Sequence, residues 1–174
     1  MKPDSIKTGA MKPIRSVLFV CMGNICRSPM AEGLLRHRLT ERGLDDRLRI
    51  DSAGIGGWHA GSPPDPRAVR VCAEYGIDIG AQHARTVCTE DYTEFDLILC
   101  VDHDTLHTVD LLQPAGASAQ IALLLDWAGA TAGVGLLNAE VPDPYQGGVE
   151  DFRRVFRLLD GVADGLLARL QLSA

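Results

Sequence analysis

The stretch Val17-Leu18-Phe19-Val20-Cys21-Met22-Gly23-Asn24-Ile25-Cys26-Arg27-Ser28-Pro29 decides the fold. An apolar run ends in a cysteine, a five-residue loop leads to an arginine, and a helix signature follows. Ser28 is a good N-cap and Pro29 suits a first helical turn, so the chain reads strand, tight loop, helix. Such a loop turns successive backbone N–H groups inward at the positive end of the helix, which makes an anion cradle. Arg27 adds a planar fork able to grip two oxygens of a tetrahedral oxyanion. Thiolate is the nucleophilic form of cysteine, and a field of this sign favours it. The chemistry indicated is attack by Cys21 on a phosphoryl group.

Outward from this loop, strands and helices alternate. The first strand is predicted over 15–21 and a helix over 29–42, with Met30, Leu34, Leu35 and Leu39 near helical spacing and Gly43 as its stop. A short second strand over 47–52 precedes a Gly- and Pro-rich loop over 53–66 and a helix over 66–75 that stops at Gly76. A helical turn near 89–93 leads to an apolar strand over 95–101, a helix over 103–112 and a fourth strand over 121–125. A loop carrying Val141-Pro142-Asp143-Pro144-Tyr145 then enters a last amphipathic helix over 149–170. Continuous apolar strands separated by helices give an α/β fold: one domain, an open twisted four-stranded parallel sheet with helices on both faces. In such sheets ligands sit beyond the carboxyl ends of the strands, near the topological switch point, where the Cys21 loop lies.

The 174 residues fit one domain with a proper core, and the 46% hydrophobic content is that of an ordinary globular protein. A net charge of −6 without a basic block argues against nucleic acid as a partner. All three lysines fall within residues 1–12, and Met-Lys-Pro occurs at both 1–3 and 11–13, so residues 1–13 read as a flexible extension before a domain over 14–174. No apolar run is long enough for a signal peptide or a membrane span. Five scattered cysteines, an odd number, are unlike a disulfide scaffold and point to the reducing cytoplasm. Cys72 and Cys100 read as small buried hydrophobes, and Cys88 has no assigned role. Without a Cys-x-x-Cys pair or a His cluster, neither a metal nor another cofactor is expected.

The nonapeptide from Cys21 to Pro29, the segment Asp51-Ser52-Ala53-Gly54 continuing to Trp58-His59, and the late Asp143-Pro144-Tyr145 together resemble the low-molecular-weight protein tyrosine phosphatases. The resemblance runs from about residue 15 to 170, and its Trp58-His59 segment and arginine-dominated composition are of the bacterial type. It implies hydrolysis of phosphotyrosine through a phosphocysteine intermediate, with Cys21 as nucleophile and Arg27 as clamp on the equatorial phosphoryl oxygens. Asp143 matches the general acid that protonates the leaving phenolic oxygen and then activates water. Ser28 matches the hydroxyl that donates to the Cys21 sulfur. Asn24, Ser52 and His83 match the side chains that brace the phosphate loop of Met22, Gly23, Asn24, Ile25 and Cys26. Ile25, Trp58 and Tyr145 are the candidate walls of the substrate pocket. Gln146 replaces the second aromatic that mammalian relatives use as a phosphorylation target, so that form of regulation is not implied. The implied partner is a phosphotyrosine protein, a bacterial tyrosine kinase among the candidates, and the implied state is a monomer.

Plainer readings stand beside these. Asp143 before a proline is also a turn former, and Trp58 is also a candidate core residue. His83 reads equally as a partly buried histidine, His59, His103 and His107 as structural or solvated, and His37 as lying on a helix surface. A thioredoxin-coupled arsenate reductase shares the oxyanion loop but needs two relay cysteines close together, and Cys72, Cys88 and Cys100 are far apart in sequence. A non-catalytic phosphotyrosine- or oxyanion-binding module would not require Cys21, Arg27 and Asp143 together. Cys26 flanks the same small loop as Cys21, which makes it a candidate redox guard or simply a packing residue.

Overall fold

The structure is a computed structural model that describes residues 12–129 and 139–172. Strands β1 (Ser16–Cys21), β2 (Arg49–Gly54), β3 (Leu97–Cys100) and β4 (Gln120–Leu123) form one parallel sheet in the order β2-β1-β3-β4. The helices are α1 (Arg27–Glu41), α2 (Pro66–Glu74), the short turn α3 (Asp91–Glu94), α4 (His103–Leu111), α5 (Leu124–Trp127) and α6 (Val149–Leu170). The expected strands and helices are all present, and their ends shift by small amounts. β2 begins two residues later than its predicted start at 47 because Asp45–Arg47 close into a 3-10 turn. β4 stops at Leu123 because Leu124 begins α5, where the apolar run alone had read as continuing strand.

Strand side chains alternate between two apolar layers. Val17, Phe19, Leu97 and Leu99 face α1, α2, α5 and α6 in the larger core, whereas Leu18, Val20, Ile98 and Cys100 face α3 and α4. Every residue of β1 and β3 is buried, as a strand covered on both faces requires. The chain leaves β1 toward β2 on one side and returns to β3 on the other. This switch point opens a crevice at the carboxyl end of β1. Among the described residues no helix is long and apolar enough to cross a membrane. Of the expected N-terminal extension, residues 1–11 lie outside the described residues, and Lys12 pairs with Asp96 at 2.8 Å.

Candidate active site

At the carboxyl end of β1 the chain turns through residues 21–26 and enters α1 directly at Arg27. This corrects the placement of Ser28 as N-cap. The cap position is Cys26, which makes no side-chain capping bond, and Ser28 lies fully buried in the first turn. Cys26 offers no side-chain acceptor to the first N–H groups of α1, the condition an anion-binding helix start requires. Pro29 sits in the first helical turn as expected.

The Ser28 hydroxyl instead lies 2.9 Å from Cys21 Sγ, and the Asn24 backbone N–H donates to the same sulfur at 3.3 Å. Asn24 holds φ at 58°, a left-handed value that asparagine tolerates better than other non-glycine residues. Its side chain locks that conformation. Nδ2 donates to Ser28 Oγ and Ser52 Oγ, each at 2.9 Å, and Oδ1 accepts from the Arg85 backbone N–H at 2.9 Å. Ser52 in turn donates to Glu32 Oε2 at 2.6 Å. Burial raises the Glu32 carboxyl above its ordinary value, against hydrogen bonds from Ser52 and Arg36. Gly54 is where β2 passes closest to the loop. A Cβ there would come within 2.9 Å of the Met22 carbonyl oxygen and 3.0 Å of the Asn24 nitrogen.

Arg27 is 3% exposed and faces three oxygens, one from Asp102 just after β3 and two from the loop that precedes α6. Its Nη1 donates to Asp102 Oδ2 at 2.6 Å and to the Val141 carbonyl at 3.0 Å, and Nη2 lies 3.7 Å from Asp143 Oδ2. Asp102 follows β3 and caps α4 through Thr105 N–H. Burial alone would raise its carboxyl, but hydrogen bonds from Thr105 and Arg27 outweigh that and hold it below the ordinary value. Asp143 is half exposed, and its Oδ1 accepts the Tyr145 N–H at 3.1 Å.

Cys21, Met22, Gly23, Ile25, Cys26 and Arg27 form the floor of a cleft of about 160 Å3, walled by Trp58, His59, Asp143 and Tyr145. Sites for drug-sized ligands hold about 300–1,000 Å3, so this cleft suits a single side chain. Trp58 stands 72% exposed at its mouth, which sets aside the core reading of this residue. The Cys26 thiol is pushed up to about 12, foremost by burial and then by the charges of Asp65, Cys21 and Asp143.

His83 is the sequence expectation that the structure does not place at the site. It is exposed, no hydrogen bond joins it to the loop, and the bond expected of it comes from the Arg85 backbone. Four contributors escaped the sequence reading. Asp102 had a usable signal, since it lies just beyond an apolar strand and begins an Asp-x-x-Thr cap. Glu32 follows Ser28 at the i,i+4 spacing of one helix face. His59 was passed over as structural, yet its ring lies 6.3 Å from that of Tyr145 across the cleft. Arg67 carries no sequence mark. Cys72 and Cys100 are fully buried on opposite faces of the sheet, which removes them as a relay pair. Among the described residues no group of three or more His, Cys, Asp or Glu is placed to hold a metal ion.

Comparisons with known proteins agree on one family. The family model described as "Low molecular weight phosphotyrosine protein phosphatase" matches residues 16–173. The low molecular weight protein-tyrosine-phosphatase YfkJ of Bacillus subtilis is 38% identical over 156 residues, 90% of this chain and 96% of its own. The corresponding enzyme of Streptomyces coelicolor is 39% identical over 157 residues, 89% of this chain and 93% of its own. A crystal structure of a protein tyrosine phosphatase from Entamoeba histolytica superposes with a TM-score of 0.81 at 31% identity, covering 90% of this chain and 97% of that one. With a family match over nearly the whole length and a cysteine-arginine cradle at its switch point, the chain belongs to the low molecular weight phosphotyrosine protein phosphatases.

Proposed function

We propose that this phosphatase works through Cys21 as nucleophile, Arg27 as phosphoryl clamp and Asp143 as acid and then base. The observation that carries the reading is Cys21 Sγ at the cleft floor, 2.9 Å from the Ser28 hydroxyl and beside the Arg27 fork. The Cys21 thiolate attacks phosphorus while the bond to the aryl oxygen breaks, and the proton of Asp143 passes to that oxygen. The resulting Asp143 carboxylate takes a proton from water, which attacks phosphorus and breaks the P–S bond. Donation from Ser28 and the Asn24 N–H receives the thiolate as it leaves. The Nη1 hydrogens of Arg27 go to Asp102 and Val141, which leaves Nε and Nη2, one edge of the fork, for the equatorial oxygens as charge spreads over them.

Cys21 is 2% exposed at the bottom of a narrow cleft, so a long flat side chain reaches it where phosphoserine falls short. Ile25 at the floor and Trp58 and Tyr145 at the walls supply apolar surface for a phenyl ring, and His59 completes it. The substrates proposed are phosphotyrosine proteins, a bacterial tyrosine kinase among them, met by a monomer in the cytoplasm. Steady-state turnover of phosphotyrosine against phosphoserine peptides, with acid quench to trap labelled phosphoenzyme, tests the scheme. Cys21→Ser is expected to bind phosphate yet trap no label, and Asp143→Asn to slow poor leaving groups far more than activated aryl phosphates. Appreciable turnover by Cys21→Ser, or comparable phosphoserine hydrolysis, overturns it.

A further inference from the structure

Arg67 lies in the first turn of α2, outside the cleft, yet its contacts join the two halves of the site. Its backbone N–H and Nε–H both donate to Asp65 Oδ1, at 2.8 and 3.0 Å, and Nη2–H donates to Asp65 Oδ2 at 2.9 Å. On its other side Nη1 donates to the Gly147 carbonyl at 2.7 Å and Nη2 to the Tyr145 carbonyl at 3.1 Å. Four of the five guanidinium hydrogens are thereby committed. The plane is fixed further over the Phe152 ring, 4.4 Å from its centroid. Asp65 is itself tied to the phosphate loop, because its backbone N–H donates to the Ile25 carbonyl at 2.8 Å.

The segment that Arg67 grips is the one that carries Asp143. Upstream that segment is pinned at Val141, whose N–H bonds the Val101 carbonyl at 2.8 Å and whose carbonyl accepts from Arg27 at 3.0 Å. Downstream it runs through Gly147 and Gly148, which restrain a backbone least of all residues. The Tyr145 N–H caps Asp143 Oδ1, and the Tyr145 carbonyl is held by Arg67. One residue therefore separates the bolt from the carboxylate. The hydrogen bond from Arg67 holds the Asp65 carboxyl below its ordinary value against burial, so the bolt stays ionised over the range in which a phosphatase operates.

We propose that Arg67 is a positioning residue: by bridging Asp65 to the Tyr145 and Gly147 carbonyls it fixes the height of Asp143 above the phosphate loop. The proposal rests on the assignment of Asp143 as general acid. A purely structural arginine would affect all substrates alike, whereas loss of a positioning residue falls on the step that needs the proton.

The test is kcat/KM, which reports steps up to leaving-group loss, across aryl phosphates from activated to poor leaving groups, with competitive inhibition by inorganic phosphate as the readout of the loop. Arg67→Met keeps an apolar stem against Phe152 and removes the bridge. It is expected to slow the poorest leaving group about tenfold or more, to leave the most activated within about threefold, and to leave phosphate inhibition within about twofold. Arg67→Lys still pairs with Asp65 but spans at most one carbonyl, so it shows the same trend with a smaller slope. It also keeps the test open if the methionine variant fails to fold. Equal losses for all leaving groups, weakened phosphate inhibition, or a wild-type profile in either variant overturns the proposal. Asp143→Asn on the same series separates the two ideas. A steep profile there with a flat one for Arg67→Met sinks the positioning role alone, and a flat profile in both sinks the acid assignment with it.

Discussion

Replacing Asp102 with Ala removes the counter-charge of the buried clamp, and its cost follows from what Arg27 keeps. Breaking a buried ion pair by removing one partner costs about 3–5 kcal/mol, because the other charge stays buried. Arg27 retains the Val141 carbonyl at 3.0 Å and a half-exposed carboxylate 3.7 Å away, and the latter is a weak partner. That places the loss at the low end, about 3 kcal/mol, part of it the α4 cap, which on its own is worth about 1 kcal/mol. Asp102→Asn keeps a cap and a neutral acceptor and is expected to lose about half as much. Urea unfolding with and without phosphate measures both. A bound oxyanion supplies the missing negative charge and no longer competes with Asp102, so saturating phosphate recovers more stability in Asp102→Ala than in the parent. The pH dependence has a definite sign. The native Asp102 carboxyl is held below 3.8, so its contribution is complete above that value and disappears as pH falls through the depressed one. The gap between parent and variant is therefore full near neutrality and closes in strong acid. A gap under about 1 kcal/mol near neutrality, the scale of an exposed pair, refutes the reasoning. So does a gap that persists unchanged in acid.

Two further outcomes are expected. With its thiol pushed up to about 12, Cys26 stays neutral beside the reactive Cys21, so peroxide should oxidise Cys21 first to a sulfenic acid. Condensation with the Cys26 thiol then expels water and gives a disulfide that reductant reverses. Peptide mapping that finds no Cys21–Cys26 disulfide, together with full recovery of Cys26→Ala after oxidation, would remove the guard role. Gly54→Ala forces a methyl to within 2.9 Å of the Met22 carbonyl and 3.0 Å of the Asn24 nitrogen. It should cost about 1–3 kcal/mol of stability and weaken phosphate inhibition, because β2 and the loop must part. An unchanged inhibition constant would contradict that packing argument.

The parts of the molecule that sequence revealed are those in which neighbours in the chain are also neighbours in the chemistry. β1, its loop and the start of α1 form one continuous stretch, so Cys21, Asn24, Arg27 and Ser28 could be read together. The alternation of apolar strands with helices disclosed the parallel sheet for the same reason, since period and burial are local properties. Boundaries slipped where a local rule met a tertiary demand. Ser28 has the chemistry of a cap, but a loop built to receive an anion leaves its N–H groups open and turns that hydroxyl to the sulfur. His83 was two residues away from the group that does the bracing. The bond to Asn24 comes from the backbone of Arg85, and a backbone donor leaves no trace in residue identity. Asp102 and Arg67 act through partners 75 to 80 positions away, and only the sheet order and the return of the chain after β4 bring those partners together.

The direction of the hydrogen bonds beneath the sulfur is also set at a distance. Taken alone, the contact between Cys21 Sγ and Ser28 Oγ allows either atom to donate. The rest of the chain removes that freedom. Ser52 gives its single hydroxyl hydrogen to Glu32 Oε2 at 2.6 Å. Ser52 can then only accept from Asn24 Nδ2, and the Arg85 N–H on Oδ1 prevents the Asn24 amide from flipping. The second Nδ2 hydrogen goes to Ser28 Oγ. Ser28 has its own hydrogen left, and its choice lies between the sulfur at 2.9 Å and the Ala53 carbonyl at 3.5 Å. The shorter contact, to the atom that carries charge as a thiolate, wins. Ser28, Glu32 and Arg36 follow one another at i,i+4 along α1, and the Arg36 charge favours the accepting carboxylate of Glu32 against the burial that raises it. One face of the helix that follows Cys21 thus favours the hydroxyl beside the sulfur as a donor, which is the polarity that the proposed leaving thiolate needs.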